Sequence, residues 1–308
     1  MITKRIDKVV NMPDEYRSAT PPPPHSVKVE LMRNCNYRCS FCHHSELSKN
    51  TGSMPLDLYE KILRELHSLG VKEIAPFFFG ESFLDVRLPH AIKLAKDIGF
   101  EYVFLTTNGS ACTKIKLQEC FAAGLDSLKF SFNSADKEQF AELTGCEPSL
   151  FEKVKENIKW ARKIRDGKGY KCGLYASYIR FDSEQDKRME ATLADMRPYL
   201  DEVYALPLYN QAHTVTKEGW DFSGGNTGRA DAPVPHLPCW TLFRAAHINY
   251  DGTVCSCSFS VNDEFIMGDL NKQTFMEIWH SEKFVALRKK HLAQDITETP
   301  CEGCVVKK

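Results

Sequence analysis

No run in this chain approaches the roughly 18 apolar residues that a membrane-spanning helix requires. The first residues, Met1-Ile-Thr-Lys-Arg-Ile-Asp-Lys8, carry charge with no apolar stretch behind them, so no secretory signal is predicted. An excess of one charge is lacking too. The formal net charge is −1, which argues against a nucleic-acid footprint or an anionic membrane surface as partner. Without a secretory route, the 12 cysteines read as reduced thiols available to metals, not as a disulfide framework. Together these absences predict a soluble cytoplasmic metalloprotein. Its 308 residues, 43% of them hydrophobic, can build one large domain or one domain with an appendage.

The residues that organise the chain are Cys35-Asn-Tyr-Arg-Cys39-Ser-Phe-Cys42, a C-x3-C-x2-C run behind the apolar stretch Val27–Leu31. Three such thiolates can hold three corners of an iron–sulfur cube and leave one iron open to an exogenous chelating ligand. A zinc knuckle completed by His43 or His44 is the rival reading, since Cys/His spacing does not separate the two metals.

Residues 1–26 form an N-terminal arm ending in Pro21-Pro-Pro-Pro24, which predicts an extended polyproline segment. From residue 27 to 210 the pattern alternates strand and helix. Strands are predicted at Val27–Leu31, Val71–Phe79, Tyr102–Thr106, Leu128–Phe132, Gly173–Ile179 and Glu202–Leu206. Helices between them fall at Leu56–Leu69, Leu88–Ile98, Lys114–Ala123, Leu150–Ile164 and Lys187–Met196, with Gly70, Gly99 and Gly124 as stops. Six strands with intervening helices imply parallel pairing by right-handed crossovers. Six units are fewer than close a full barrel, so the fold class is α/β: a partial (β/α)6 TIM-like barrel, followed by a small Cys-rich module with a β-hairpin. Ligands of such folds bind at the carboxyl ends of the strands. There lie the cysteine loop, Gly80-Glu81-Ser82, Asn108-Gly109, Ser131 and Arg180.

This set resembles the radical S-adenosylmethionine superfamily over residues 27–206, first through Cys35, Cys39 and Cys42. The resemblance implies that these three ligate a 4Fe–4S cluster whose open iron chelates S-adenosylmethionine. Phe41 would pack against the adenine. Gly80 and Glu81 match part of the family's Gly-Gly-Glu-Pro motif and would meet the amino group of S-adenosylmethionine. Phe79 and Ser82 depart from that motif at its first and last positions. Asn108 and Ser131 are the implied ribose contacts, and Arg180 the implied carboxylate partner.

Beyond a linker (211–238) rich in Gly and Pro, a second cysteine set begins at residue 239: Cys239, Cys255, Cys257, Cys301 and Cys304. Asn249-Tyr-Asp-Gly252 predicts a hairpin turn leading into Cys255 and Cys257. A second metal site follows from this density, with tetrahedral zinc as the alternative to iron. The block 239–308 resembles the C-terminal SPASM module or its shortened twitch form. By that resemblance Cys239, Cys257, Cys301 and Cys304 ligate one auxiliary 4Fe–4S cluster. Cys255 is left over, either a buried structural residue or a hydrogen-atom donor. Cys112, Cys120, Cys146 and Cys172 are scattered and read as structural.

The family resemblance implies 5′-deoxyadenosyl radical chemistry on an unactivated C–H bond of a small polar or carbohydrate-like substrate, or of a peptide. An external donor such as flavodoxin or ferredoxin would supply electrons. The leading expectation is epimerisation with Cys255 returning hydrogen. The alternative is a dehydrogenase or peptide-modifying oxidase that uses the auxiliary cluster as electron acceptor. A non-catalytic electron carrier or metal-bound scaffold is the third reading. His213, Trp220, His236, Trp240 and Arg244 stand in the linker and module start, where family substrates are contacted.

Overall fold

The computed structural model describes residues 1–44, 51–212, 214–215, 217–223, 225–232, 237–259 and 262–304. Alternation within each strand decides which face a residue takes. In β1 (Ser26–Val29), Val27 and Val29 are fully buried under the helical layer, while Ser26 and Lys28 face the concave side. Next come β2 (Glu73–Ala75), β3 (Tyr102–Thr107), β4 (Ser127–Ser131), β5 (Gly173–Arg180) and β6 (Glu202–Pro207). These six lie side by side in chain order and pair in parallel throughout. β6 ends the row, so the barrel stays open as the strand count requires.

The outer layer is built from α2 (Leu56–Ser68), α3 (Leu88–Ile98), α4 (Lys114–Ala122), α5 (Lys137–Thr144), α6 (Ser149–Lys168) and α7 (Ser183–Met196). Their apolar faces close on the sheet through residues such as Ile62, Leu66, Ile92, Ile158 and Leu193, each at most 1% exposed. Gly99 ends α3 with φ 116°, a left-handed conformation that suits glycine best. β2 is shorter than the predicted Val71–Phe79, because Pro76 has no N–H to continue the ladder. Helix α5 lies outside the sequence expectation; Asp136 caps it by accepting from the Gln139 N–H.

Two further departures shape the molecule. The arm is not extended at its start: α1 (Ile2–Val10) is a helix, with Ile2, Ile6, Val9 and Val10 on one face. It lies across the amino ends of the strands, where Arg5 ion-pairs with Glu73 and Thr3 bonds to Glu202. The Arg244 guanidinium donates to the carbonyls of Lys8 and Val9 (2.7 and 2.8 Å) at the negative end of that helix. The proline segment lies on the C-terminal module, whose Trp279 and His280 donate to the Pro22 and Pro21 carbonyls (3.0 and 2.9 Å).

The second departure is the junction with that module. After the short helix α8 (Thr241–Arg244), β7 (Ala245–Ile248) pairs in parallel with β1, matching Ser26 to Ala245 and Val29 to Ile248. The predicted turn, with Gly252 at φ 89°, then leads into β8 (Thr253–Cys255). β8 and β9 (Ile266–Asp269) continue the sheet antiparallel. Barrel and hairpin thus share one nine-stranded sheet. Helices α9 (Phe275–Trp279) and α10 (Glu282–Leu292) pack behind the hairpin.

Candidate active site

The cysteine loop leaves β1 without regular structure, so its backbone groups need partners elsewhere. Helix α5 supplies them: the N–H groups of Arg38 and Ser40 donate to the Thr144 and Leu143 carbonyls (both 2.8 Å), and Tyr37 meets Phe140 edge-on. So held, Cys35, Cys39 and Cys42 line a cavity of about 180 Å³ together with Phe41, Gly80, Glu81, Asn108 and Ser131. Burial pushes the Cys35 thiol up to about 12. Cys39 is raised well above the usual thiol range by burial and by the neighbouring Cys42 and Cys35 sulfurs. A cationic centre among them would relieve both effects and displace the protons.

Glu81 is buried, and its carboxylate accepts three hydrogen bonds from the chain itself. They come from the Phe83 N–H (3.0 Å), the Thr107 hydroxyl (2.8 Å) and the Asn108 N–H (2.7 Å). The side chain therefore ties the loops after β2 and β3 together. Burial raises its pKa, against the lowering by these donors. Ser82, in the family's proline position, donates to the Pro76 carbonyl (2.8 Å). Asn108 donates to Asn36 (3.0 Å) and lies 3.9 Å from the Cys35 sulfur. Arg180 is drawn away from this ring: it pairs with Asp231 (3.0 Å) and Asp186 (3.4 Å) and lines neither this cavity nor the barrel lumen. His44 donates to the Arg33 carbonyl (2.7 Å).

Gly80 is fixed by close approach. A Cβ there would stand 2.0 Å from the Met32 carbonyl oxygen, a backbone atom that cannot swing aside. Gly80→Ala is expected to displace the loop and lower the thermal midpoint by several degrees, about 1–3 kcal/mol in stability. Anaerobic calorimetry checks this, and an unchanged midpoint would refute it.

The second cysteine set also meets. Cys239, Cys257, Cys301 and Cys304 line one small buried space, closed on one side by His291 and Phe265. Their thiols are all raised by burial, Cys304 to about 11. Cys255 does not line that space. It is fully buried with Ala212 and Phe265; Phe78, Phe79 and also Cys257, Cys301 and Cys304 pack against that trio, and its thiol donates to the Cys257 carbonyl (3.5 Å). Among the described residues no three donor groups converge tightly enough to hold a single metal ion. Both thiol sets ring a space instead, which suits a multi-iron core better than one tetrahedral ion.

Between the two sets lies the barrel lumen, a cavity of about 400 Å³ floored by α1. It shares Phe41, Cys42, Ser131 and Asn133 with the first cysteine cavity, and Asn226, Ser258 and Phe259 with the second. Trp240 lines the lumen, Trp220 packs on Phe181 beside Phe41, and Arg244 is spent on α1. His213, Gly224 and His236 lie outside the described residues. Sequence reasoning missed the two lumen lysines, Lys28 and Lys129. The signal was available: each is a cation between apolar neighbours in a strand, Val27/Val29 and Leu128/Phe130.

The profile of the radical SAM superfamily matches residues 29–186, and that of the SPASM iron–sulfur cluster-binding domain matches 239–305. A probable GTP 3′,8-cyclase of Sulfurisphaera tokodaii is 35% identical over 143 residues, which take in 44% of this chain and 42% of that one. The PqqA peptide cyclase of Bradyrhizobium diazoefficiens is 29% identical over 142 residues, 46% of this chain and 37% of that one. The chain thus spans less than half the length of the curated relatives it matches. Among solved structures, BtrN in complex with AdoMet and 2-DOIA superposes with a TM-score of 0.56 at 20% identity, covering 87% of this chain and 86% of BtrN. Streptococcus suis SuiB bound to precursor peptide SuiA gives a TM-score of 0.66 at 14% identity, covering 87% and 67%. These likenesses concern the fold.

Proposed function

This chain belongs to the radical SAM superfamily and carries a SPASM iron–sulfur domain; from that premise we propose that it oxidises a small polar or carbohydrate-like substrate held in the barrel lumen. Its cofactors are S-adenosylmethionine and two 4Fe–4S clusters. Cys35, Cys39 and Cys42 would hold the first cluster, and Cys239, Cys257, Cys301 and Cys304 the second. When bound, these groups supply a 5′-deoxyadenosyl radical that takes hydrogen from unactivated carbon, and an additional one-electron couple.

The chain's own residues position and exclude. Phe41 offers an aromatic wall for adenine, while Asn108 and Ser131 offer polar atoms to the ribose. Gly80 lets the loop after β2 approach, and Glu81 locks that loop to the one after β3. Helix α1 closes the far end of the lumen to water. The lumen's volume suits a small molecule. One observation carries the oxidative outcome: the lumen shares walls with both thiol sets, whereas Cys255 lines neither it nor the first cavity. Inversion needs a hydrogen donor on the substrate's open side, and Cys255 instead packs beside the second thiol set, against Cys257, Cys301 and Cys304.

The expected product is lighter than substrate by two hydrogen atoms and carries no deuterium from heavy water. Mass spectrometry of the anaerobic reaction decides the matter. A product of unchanged formula carrying one solvent deuteron, and lost in Cys255→Ala, would replace oxidation by epimerisation.

A further inference from the structure

Lys28 and Lys129 stand on β1 and β4, with β2 and β3 between them, and both line the lumen. Their ammonium groups face aromatic rings: Lys28 lies 5.4 Å from the Phe77 ring centre and 5.9 Å from that of Phe78, and Lys129 lies 5.9 Å from that of Tyr204. Among the described residues neither has a carboxylate within ion-pair distance. The nearby acids are already engaged, since Glu73 is held by Arg5 and His25, and Glu30 by Arg33. A third group converges with them: His247, opposite Lys28 in the β1–β7 register, is 1% exposed and lines the lumen, and its Nδ1 has no partner among the described residues.

Both lysines are half-buried in the lumen wall, and like charges facing one enclosed space with no carboxylate partner lose hydration and repel each other. The cost is visible in the lysines themselves. Burial pushes both down to about 8; the Cys257 sulfur works the other way on Lys28, and Lys28 adds to the depression of Lys129. A bound anion reverses both effects. We propose that the lumen recognises an oxyanion of the substrate, a carboxylate or a phosphate, through Lys28 and Lys129 with His247 beside them. The substrate class thereby narrows from polar to anionic. This rests on the reading of the lumen as the substrate site.

The test is binding without turnover. Reconstituted holoenzyme is titrated calorimetrically with inorganic phosphate and, separately, with acetate, at ionic strength held constant with chloride. Saturable binding of at least one is expected, weakened at least tenfold in Lys28→Met and in Lys129→Met and retained in Lys129→Arg. The anion that binds more tightly names the source. S-adenosylmethionine binding, read in the same samples, should be unchanged and certifies folding. A second measurement needs no variant: the bound anion should slow acetylation of Lys28 and Lys129 by trace acetic anhydride, relative to exposed Lys272. No saturable binding of either anion, equal affinity in the Met variants, or no protection of the two lysines would each overturn the proposal. Oxyanion binding with no oxidised product from any substrate would overturn the oxidative function and leave this site standing.

Discussion

Serine in place of Cys39 is expected to bring 5′-deoxyadenosine formation to background and to remove about four of about eight irons per chain after anaerobic reconstitution. The serine hydroxyl is a hard, weakly acidic donor that does not replace a thiolate on iron. Cys39 is hemmed in by burial and by the Cys42 and Cys35 sulfurs, and the change leaves the set with two thiolates. The matching change in the second set, Cys301→Ser, should lower iron by a similar amount. It should nevertheless leave S-adenosylmethionine cleavage intact, because that chemistry belongs to the first cavity. Iron and sulfide analysis with chromatography of 5′-deoxyadenosine reads both variants. Full iron in Cys39→Ser, or lost cleavage in Cys301→Ser with folding preserved, would refute the assignment of the two sets.

Arg33→Met is expected to cost about 3–5 kcal/mol of stability, the range for stripping one partner from a buried ion pair. Glu30 is fully buried and Arg33 is 3% exposed. The guanidinium donates twice to the Glu30 carboxylate (2.9 and 2.7 Å) and once to Asn249 at the end of β7 (2.8 Å), with the Tyr250 ring over it. Glu30 also accepts from the N–H groups of Phe79 and Tyr250 (3.1 and 3.3 Å). One buried pair therefore joins the cysteine loop, the loop after β2 and the C-terminal hairpin. Removing both charges in Glu30→Leu/Arg33→Met should recover much of the loss, since no uncompensated charge remains. Denaturant midpoints of the singles and the double measure this, and a single variant within 1 kcal/mol of wild type would refute it.

Much of this was readable because its causes are local. The 2-residue and 3.6-residue periods mark strands and helices within one window, and glycines mark the stops. The rule that ligands meet at strand carboxyl ends gathers Cys35, Gly80, Glu81, Asn108 and Ser131, which line one cavity. What escaped depends on contacts far apart in the chain. Helix α1 forms because it finds partners more than 200 residues away: Gly228 lies under Ile6 and Val10, and Arg244 holds the helix's last carbonyls. Arg180 turns from the ring because Asp231, 51 residues on, claims it. Lys28 reads as a strand residue, yet only the curvature of the whole sheet turns it onto the lumen wall. Cys255 packs beside the second thiol set, against Cys257, Cys301 and Cys304; the pairing of β8 and β9 shifts register at Val254/Cys255, and of the hairpin pair only Cys257 lines the small space itself.

The β1–β7 ladder also sets the terms for recombining this protein with its relatives. A C-terminal module joined through a flexible tether could be exchanged like a bead. Here the graft must reproduce a parallel register against Ser26–Val29, and its first strand must bring side chains as small as those of Ala245 and Ala246 to the rim of the lumen. A chimera cut in the segment before Cys239 inherits both requirements. A donor strand with bulky residues there would fill the lumen from its own side, whatever clusters it carries.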